Sequence, residues 1–179
     1  SYNEIDGVPS HANKWLLGDV LRGEWGFKGA VVSDYYAIEE MARRHNIAKD
    51  NAGAALLALA AGVDSDLPTG AAYSTLSGSV REGKVPEAAI DQAVRRMLAM
   101  KFRAGLFENP YADAEAAVKI TNNAEAKALA LKAAQRSIIL LKNDGMLPLS
   151  LGAKVPTIAV IGPSAAVARL GGYYGQPAV

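Results

Sequence analysis

Cysteine is absent from the 179 residues, and histidine occurs only as His11 and His45. A disulfide framework, a thiolate metal site and a histidine-rich metal centre are therefore excluded. An excess of either charge is also missing. Nineteen Lys and Arg stand against 18 Asp and Glu, a formal net charge of +1 without a basic or acidic block. Electrostatic binding to nucleic acid or to an anionic membrane is not indicated. Long apolar runs are lacking too. The longest, residues 54–63, is alanine-rich and too short to span a bilayer. The opening Ser1-Tyr2-Asn3-Glu4 has neither the basic start nor the apolar middle of a signal peptide, and reads as the interior of a longer protein. What is present is ordinary: 50% hydrophobic and 21% charged residues, enough to bury the core of one domain or a little more.

The order of patterns is strand, helix, strand, helix. Residues 1–11 read as a loop, broken by Asp6-Gly7 and Pro9. Helical spacing begins near Asn13, with Trp15, Leu16, Val20 and Leu21 as an apolar stripe, and Gly23 and Gly26 end it. Ala30-Val31-Val32 has no polar alternation, as expected of a parallel strand covered on both faces. Helices are predicted over 37–44, 50–61, 71–82 and 87–103, with a short strand at 63–68. The 87–103 segment places Ile90, Ala93, Val94, Met97, Leu98 and Phe102 on one face. After a break at Leu106 to Tyr111, helix returns over 125–141, with Leu129, Ala133, Ile138 and Leu141 as buried candidates. A strand follows at 157–161, ending at Gly162-Pro163. This alternation predicts parallel βα units. The lengths suit a (β/α)8 barrel, but about three of its strands fit before residue 105, and a whole barrel takes roughly 250 residues.

Two motif readings fail. Asp64-Ser65-Asp66 starts like a calcium loop, but Pro68 occupies the next ligand position and Thr69, not glycine, comes directly after it, so no metal site is read. Gly162 is followed by Pro163-Ser164-Ala165, and Gly171-Gly172-x-x-Gly175 is not attached directly to a strand. Dinucleotide binding is not supported.

Asp34 ends the Ala30-Val31-Val32-Ser33 run, where side chains of α/β folds face the ligand crevice. Locally the pair Ser33-Asp34 fits a turn and helix cap equally well. Four blocks in order extend the picture. They are Ser1-Tyr2-Asn3 with Gly7-Val8-Pro9 and Asn13; Leu21-Arg22-Gly23-Glu24-Trp25-Gly26-Phe27-Lys28-Gly29 running into Val31-Val32-Ser33-Asp34; Ala61-Gly62-Val63-Asp64 with Leu67-Pro68; and Gly105-Leu106-Phe107-Glu108-Asn109-Pro110-Tyr111 joined to the 137–149 segment. Ala159-Val160-Ile161-Gly162-Pro163 closes the series. With these blocks, essentially the whole chain resembles glycoside hydrolase family 3.

The resemblance implies an α/β architecture. Residues 1–104 would form the C-terminal part of a (β/α)8 barrel, 105–122 a linker, and 123–179 the start of an α/β sandwich. It implies an exo-acting, retaining β-glucosidase with Asp34 as catalytic nucleophile, Tyr2 and Tyr35 lining the sugar site, and no cofactor. The position after the nucleophile is often Trp in the family; Tyr35 departs from that within the aromatic class. The second carboxyl group is expected downstream of the linker, and no residue here matches it. β-Xylosidase activity is the close alternative, and a truncated, non-catalytic sugar-binding chain is the alternative of another class. The expected partners are β-linked gluco- or xylo-oligosaccharides or aryl glycosides, not nucleic acid or membrane; a homo-oligomer is compatible with the family. A periplasmic or secreted location is implied, and the segment alone is expected to be inactive. Asp64 is read as structural, Asp66 as a strand-end group, Trp15 and Trp25 as packing residues, and Arg22 and Glu24 as ion-pair partners.

Overall fold

An alanine-rich helix organises the N-terminal part of the chain. In the computed structural model, which describes residues 2–149, 158–167 and 172–173, the chain divides into two compact units, 1–113 and 114–179. The first unit contains a two-stranded hairpin, β1 (Glu4–Ile5) and β2 (Val8–Pro9), and helices α1 (Ala37–Arg43), α2 (Asn51–Ala61), α3 (Leu76–Arg81) and α4 (Glu87–Arg103). A wide helix with i→i+5 bonding spans Trp15–Glu24, and tight turns lie at Ser10–Ala12 and Tyr73–Thr75. The second unit contains α5 (Ala114–Ile120) and α6 (Ala124–Ser137).

α2 is the hub. It contacts α1, α3, α4, the wide helix and both tight turns. Ala54, Ala55 and Ala58 are fully buried, and their small side chains let neighbouring elements approach closely. Ile38 and Met41 from α1, Leu59, Val63, Ala72, Leu76 and Ala93 complete the core. The helix is fixed at both ends. Asp50 Oδ1 accepts the Gly53 N–H at 2.9 Å, and Gly62 closes it at φ +102°, a conformation glycine adopts without a Cβ clash. Asp50→Ala is expected to cost about 1 kcal/mol through the lost cap. Urea unfolding would check this, and an unchanged midpoint would refute the cap's contribution.

Pairing between the two acidic-ended segments is parallel, as the alternation predicts. Val32 bridges Ser65, the Asp64 N–H donates to Val31 O at 2.7 Å, and the Ser33 N–H donates to Ser65 O at 2.9 Å. The ladder is only one bridge long, and among the described residues no sheet exceeds two strands. Val32 is accordingly exposed rather than covered on both faces. Parallel pairs are less stable per residue than antiparallel ones, and a single pair without flanking strands stays short.

Other expectations also need correction. Residues 4–9 are a hairpin rather than a loop. Asp6 and Gly7 both have positive φ, the conformation of a tight hairpin turn that Asp-Gly favours. Trp15 and Trp25 are 58% and 72% exposed and do not act as core residues, whereas Leu16, Leu17, Val20 and Leu21 are half-buried. The 71–82 segment is a tight turn followed by a shorter helix. On α4 only Ala93 is buried; Val94, Leu98 and Phe102 stay exposed. α6 stops at Ser137, and β-branched Ile138 takes up extended backbone. Leu129, Ala133, Ile138 and Leu141 are exposed among the described residues. α5 lies inside the stretch read as a linker. Residues 158–161 form no strand, residue 157 lies outside the described residues, and so does most of the 171–175 glycine cluster.

Candidate active site

The parallel segment delivers Asp34 to its carboxyl end, and the hairpin brings Tyr2 to meet it. The Tyr2 hydroxyl lies 3.0 Å from Asp34 Oδ1 and 2.7 Å from the backbone oxygen of Tyr35. One phenolic proton serves both acceptors, so this is a shared hydrogen bond. The Tyr35 N–H donates to the same Oδ1 at 2.8 Å. Donors to a carboxylate favour its charged form. The Tyr35 N–H, and after it the Tyr2 hydroxyl, hold the Asp34 carboxyl below the usual carboxylate range against a smaller opposing effect of desolvation. Asp34, Tyr2 and Tyr35 are all exposed, so the charged oxygen and the flat rings can be reached by a ligand. Tyr35 and Tyr36 meet edge to face, with centroids 6.5 Å apart.

Two residues in this cluster escaped the sequence reading. The Asp34 N–H donates to Nε2 of His11 at 3.1 Å, and His11 comes from the tight turn after β2. A lone histidine in a polar loop gives no spacing signal that could have found it. Tyr36 has φ +59°, a left-handed backbone uncommon for a residue with a Cβ. It redirects the chain from the strand end into α1, and no glycine marks the position.

The other acidic candidates have different surroundings. Asp64 has a side chain only 1% exposed. Its Oδ2 accepts from Arg22 Nη2 at 2.8 Å and the Val31 N–H at 2.9 Å, and its Oδ1 accepts from Arg96 Nη1 at 2.9 Å. Arg22 also reaches the carbonyls of Gly29 and Gly62, joining the entry to the parallel segment with the end of α2. At this junction the Phe27 ring lies over Gly29, so close that a Cβ there would stand 2.5 Å from it and the ring would have to move. Asp66 Oδ2 accepts the N–H groups of Ala72 and Tyr73 at 2.9 and 3.0 Å and shapes the following turn. Both carboxylates are engaged by structural donors, as their strand-end reading anticipates. Glu24 is exposed. Among the described residues, no group of three or more His, Cys, Asp and Glu could hold a metal ion, and no helix is long and apolar enough to cross a membrane.

An exposed carboxylate at the end of a parallel segment, among helices packed around α2, defines the general class, an α/β unit. The comparisons with known proteins give the family. Residues 1–100 match the family model described as the glycosyl hydrolase family 3 N terminal domain. A β-xylosidase of Formosa agariphila is 39% identical over 98% of this chain and 26% of its own length. A periplasmic β-glucosidase of Salmonella typhimurium is 41% identical over 91% of this chain and 22% of its own. Among solved structures, a β-glucosidase from Listeria innocua in complex with glucose matches with a TM-score of 0.77 and 39% identity, over 84% of this chain and 21% of that one. The chain belongs to glycosyl hydrolase family 3. It spans about a quarter or less of the length of these relatives.

Proposed function

We propose that this chain supplies the nucleophile of a retaining, exo-acting β-glucosidase and works within a longer polypeptide. Residues 1–104 would contribute the last part of a (β/α)8 barrel, 105–122 the linker, and 123–179 the start of an α/β sandwich. The observation that carries the reading is the convergence of the Tyr35 N–H and the Tyr2 hydroxyl on Asp34 Oδ1, at the end of the parallel segment. A retaining glycosidase needs an ionised carboxylate that forms a covalent glycosyl ester, which water later hydrolyses. The Asp34 carboxylate would attack the anomeric carbon as the glycosidic bond breaks. A second carboxyl group, not assigned to this chain, would protonate the leaving oxygen. Tyr2 and Tyr35 would offer rings to the apolar face of the sugar. β-Xylosidase activity is the second reading, because relatives of similar identity bear both names. The substrates would be β-linked gluco- or xylo-oligosaccharides or aryl glycosides, and the name of the Salmonella relative supports a periplasmic or secreted location.

The test is a peptide map of the full-length protein after inactivation by a 2-fluoro-β-glucoside. A sugar adduct on the peptide holding Asp34 is the expected result. Turnover of glucosides with the adduct on a different carboxylate would remove Asp34 from the role.

Tyr2→Phe gives a pH test of the same site. Asp34 must be ionised to attack, so activity falls as pH drops through its folded-state pKa. That pKa is held down partly by the Tyr2 hydroxyl. Removing this donor raises it, and the acid limb of kcat/KM is expected to move to higher pH. Loss of one charge-assisted hydrogen bond should also lower kcat/KM roughly tenfold at the optimum. An acid limb that stays in place would show that Tyr2 does not hold the nucleophile's proton affinity.

A further inference from the structure

We infer that His11 is a positioning residue for the nucleophile, its imidazole Nε2 fixing the backbone of Asp34 and thereby the place of the carboxylate. The inference rests on the assignment of Asp34 as nucleophile.

It comes from accounting for every backbone donor around the site. The Ser33 N–H is used by the parallel ladder, at 2.9 Å from Ser65 O. The Tyr35 N–H is taken by the Asp34 carboxylate itself, and the Tyr36 N–H by Leu67 O at 2.8 Å. The Ala37 N–H turns back to Asp34 O at 3.2 Å. The remaining donor, that of Asp34, lies where the ladder has ended, and its acceptor is a side chain 23 residues away. Of the five donors from Ser33 to Ala37, this one alone depends on a side chain from another element.

The acceptor is well placed for such a role. His11 is only 8% exposed, so it is not a mobile surface group. It borders an open pocket of about 380 Å³ whose walls include Leu17, Val31, Val32 and Val63 beside the polar Asn3 and Ser10. Accepting through Nε2 requires a lone pair there, so the ring proton sits on Nδ1. The turn that holds His11 follows the hairpin on whose leading strand side Tyr2 lies. The Ser10 N–H and hydroxyl both donate to Asn3 O, at 3.1 and 2.9 Å, which ties that turn to the segment beside Tyr2. Tyr2 therefore grips the carboxylate and His11 grips the backbone of the same residue, both from one small substructure. Displacing a reacting atom by about 1 Å can cost on the order of 10²-fold in rate, so the backbone anchor bears directly on attack.

The experiment compares His11→Ala and His11→Gln in the full-length protein. Glutamine's side-chain oxygen falls near the position of Nε2 and can accept the same N–H. The readouts are the rate of inactivation by a 2-fluoro-β-glucosyl fluoride, kcat and KM on an aryl β-glucoside, and thermal unfolding. His11→Ala is expected to slow trapping and lower kcat/KM by roughly 10- to 100-fold. KM should change less than kcat, and His11→Gln should recover activity to within about threefold. Trapping by His11→Ala at the wild-type rate would overturn the inference, as would a folded His11→Gln as slow as His11→Ala. If His11→Ala does not fold, His11→Asn replaces it, since its shorter side chain cannot place an acceptor at the Nε2 position. Equal trapping by the Asn and Gln variants would then overturn the inference. An adduct away from Asp34 in the wild-type protein is a different outcome: it removes the nucleophile assignment, and the inference falls with it.

Discussion

Asp34→Ala in the full-length protein is expected to lower turnover of aryl β-glucosides by about 10³–10⁴-fold while leaving folding intact. The size follows from the role, since a covalent route cannot begin without its nucleophile and little else on the enzyme replaces it. Folding should survive because Asp34 is exposed and its carboxylate accepts from groups that solvent can satisfy instead. Sodium azide distinguishes this role from electrostatic support. With the carboxylate gone, azide can occupy the vacated side of the sugar and attack the anomeric carbon of an activated β-glucoside. One displacement inverts that carbon, so the product is the α-glucosyl azide. The untouched enzyme, making two displacements, returns β-glucose. A β-glucosyl azide from the alanine variant would show that another nucleophile still acts, and residual activity within tenfold of wild type would show that Asp34 was never it.

The local parts of this structure were legible and the long-range parts were not. α2 could be read from its composition, the Asp50 start and the Gly62 stop, all of which lie within one helix and act on its own backbone. The parallel relation of the two acidic-ended segments followed from the helices between them. The hairpin at 4–9 is signalled by Asp6-Gly7, but the same dipeptide marks a loop break as readily as a turn, and two-residue strands add no alternation to tell them apart. Trp15 and Trp25 are exposed: helical spacing puts Trp15 on an apolar stripe but does not say what that face meets, and Trp25 lies beyond the stripe. Spacing also cannot report that the helix they border is wide rather than regular.

The candidate site divides in the same way. Asp34 is legible as a strand end, Tyr35 gains its role only through the family resemblance, and so does Tyr2. The structure places its hydroxyl 3.0 Å from the carboxylate. His11 touches Asp34 across 23 residues through one imidazole nitrogen, a contact that leaves no trace in hydrophobic period or composition. Tyr36 is hidden for the opposite reason. Its left-handed backbone is held by the bonds around it and not by its own preference.

Asp64→Ala carries the largest expected loss of stability, about 3 kcal/mol, because it removes a buried carboxylate from two largely buried cations at once. Arg22 and Arg96 have side chains only 15% and 22% exposed, and both direct a guanidinium nitrogen at Asp64 from within 3 Å. Without the carboxylate the two guanidiniums face each other without a neutralising partner, and the Val31 N–H loses its acceptor as well. The partners should not be equivalent. Arg22→Met leaves Asp64 paired with Arg96, so its cost should be clearly smaller than that of Asp64→Ala. Replacing all three by apolar residues of similar volume should recover part of the loss, since dehydrating the ions already offsets much of their attraction. Urea unfolding of the four proteins measures this order, and an Asp64→Ala midpoint close to wild type would refute it. The same variants separate structure from chemistry. Val31 lies three residues before Asp34 on the parallel segment, so a loosened grip there displaces the proposed nucleophile without touching it. Activity should therefore fall with stability across the series, and the acid limb of kcat/KM should keep its shape. A well-folded Asp64→Asn that loses activity together with one limb of the pH profile would instead make Asp64 a proton-transfer group, and its two arginines would then be the means of tuning it.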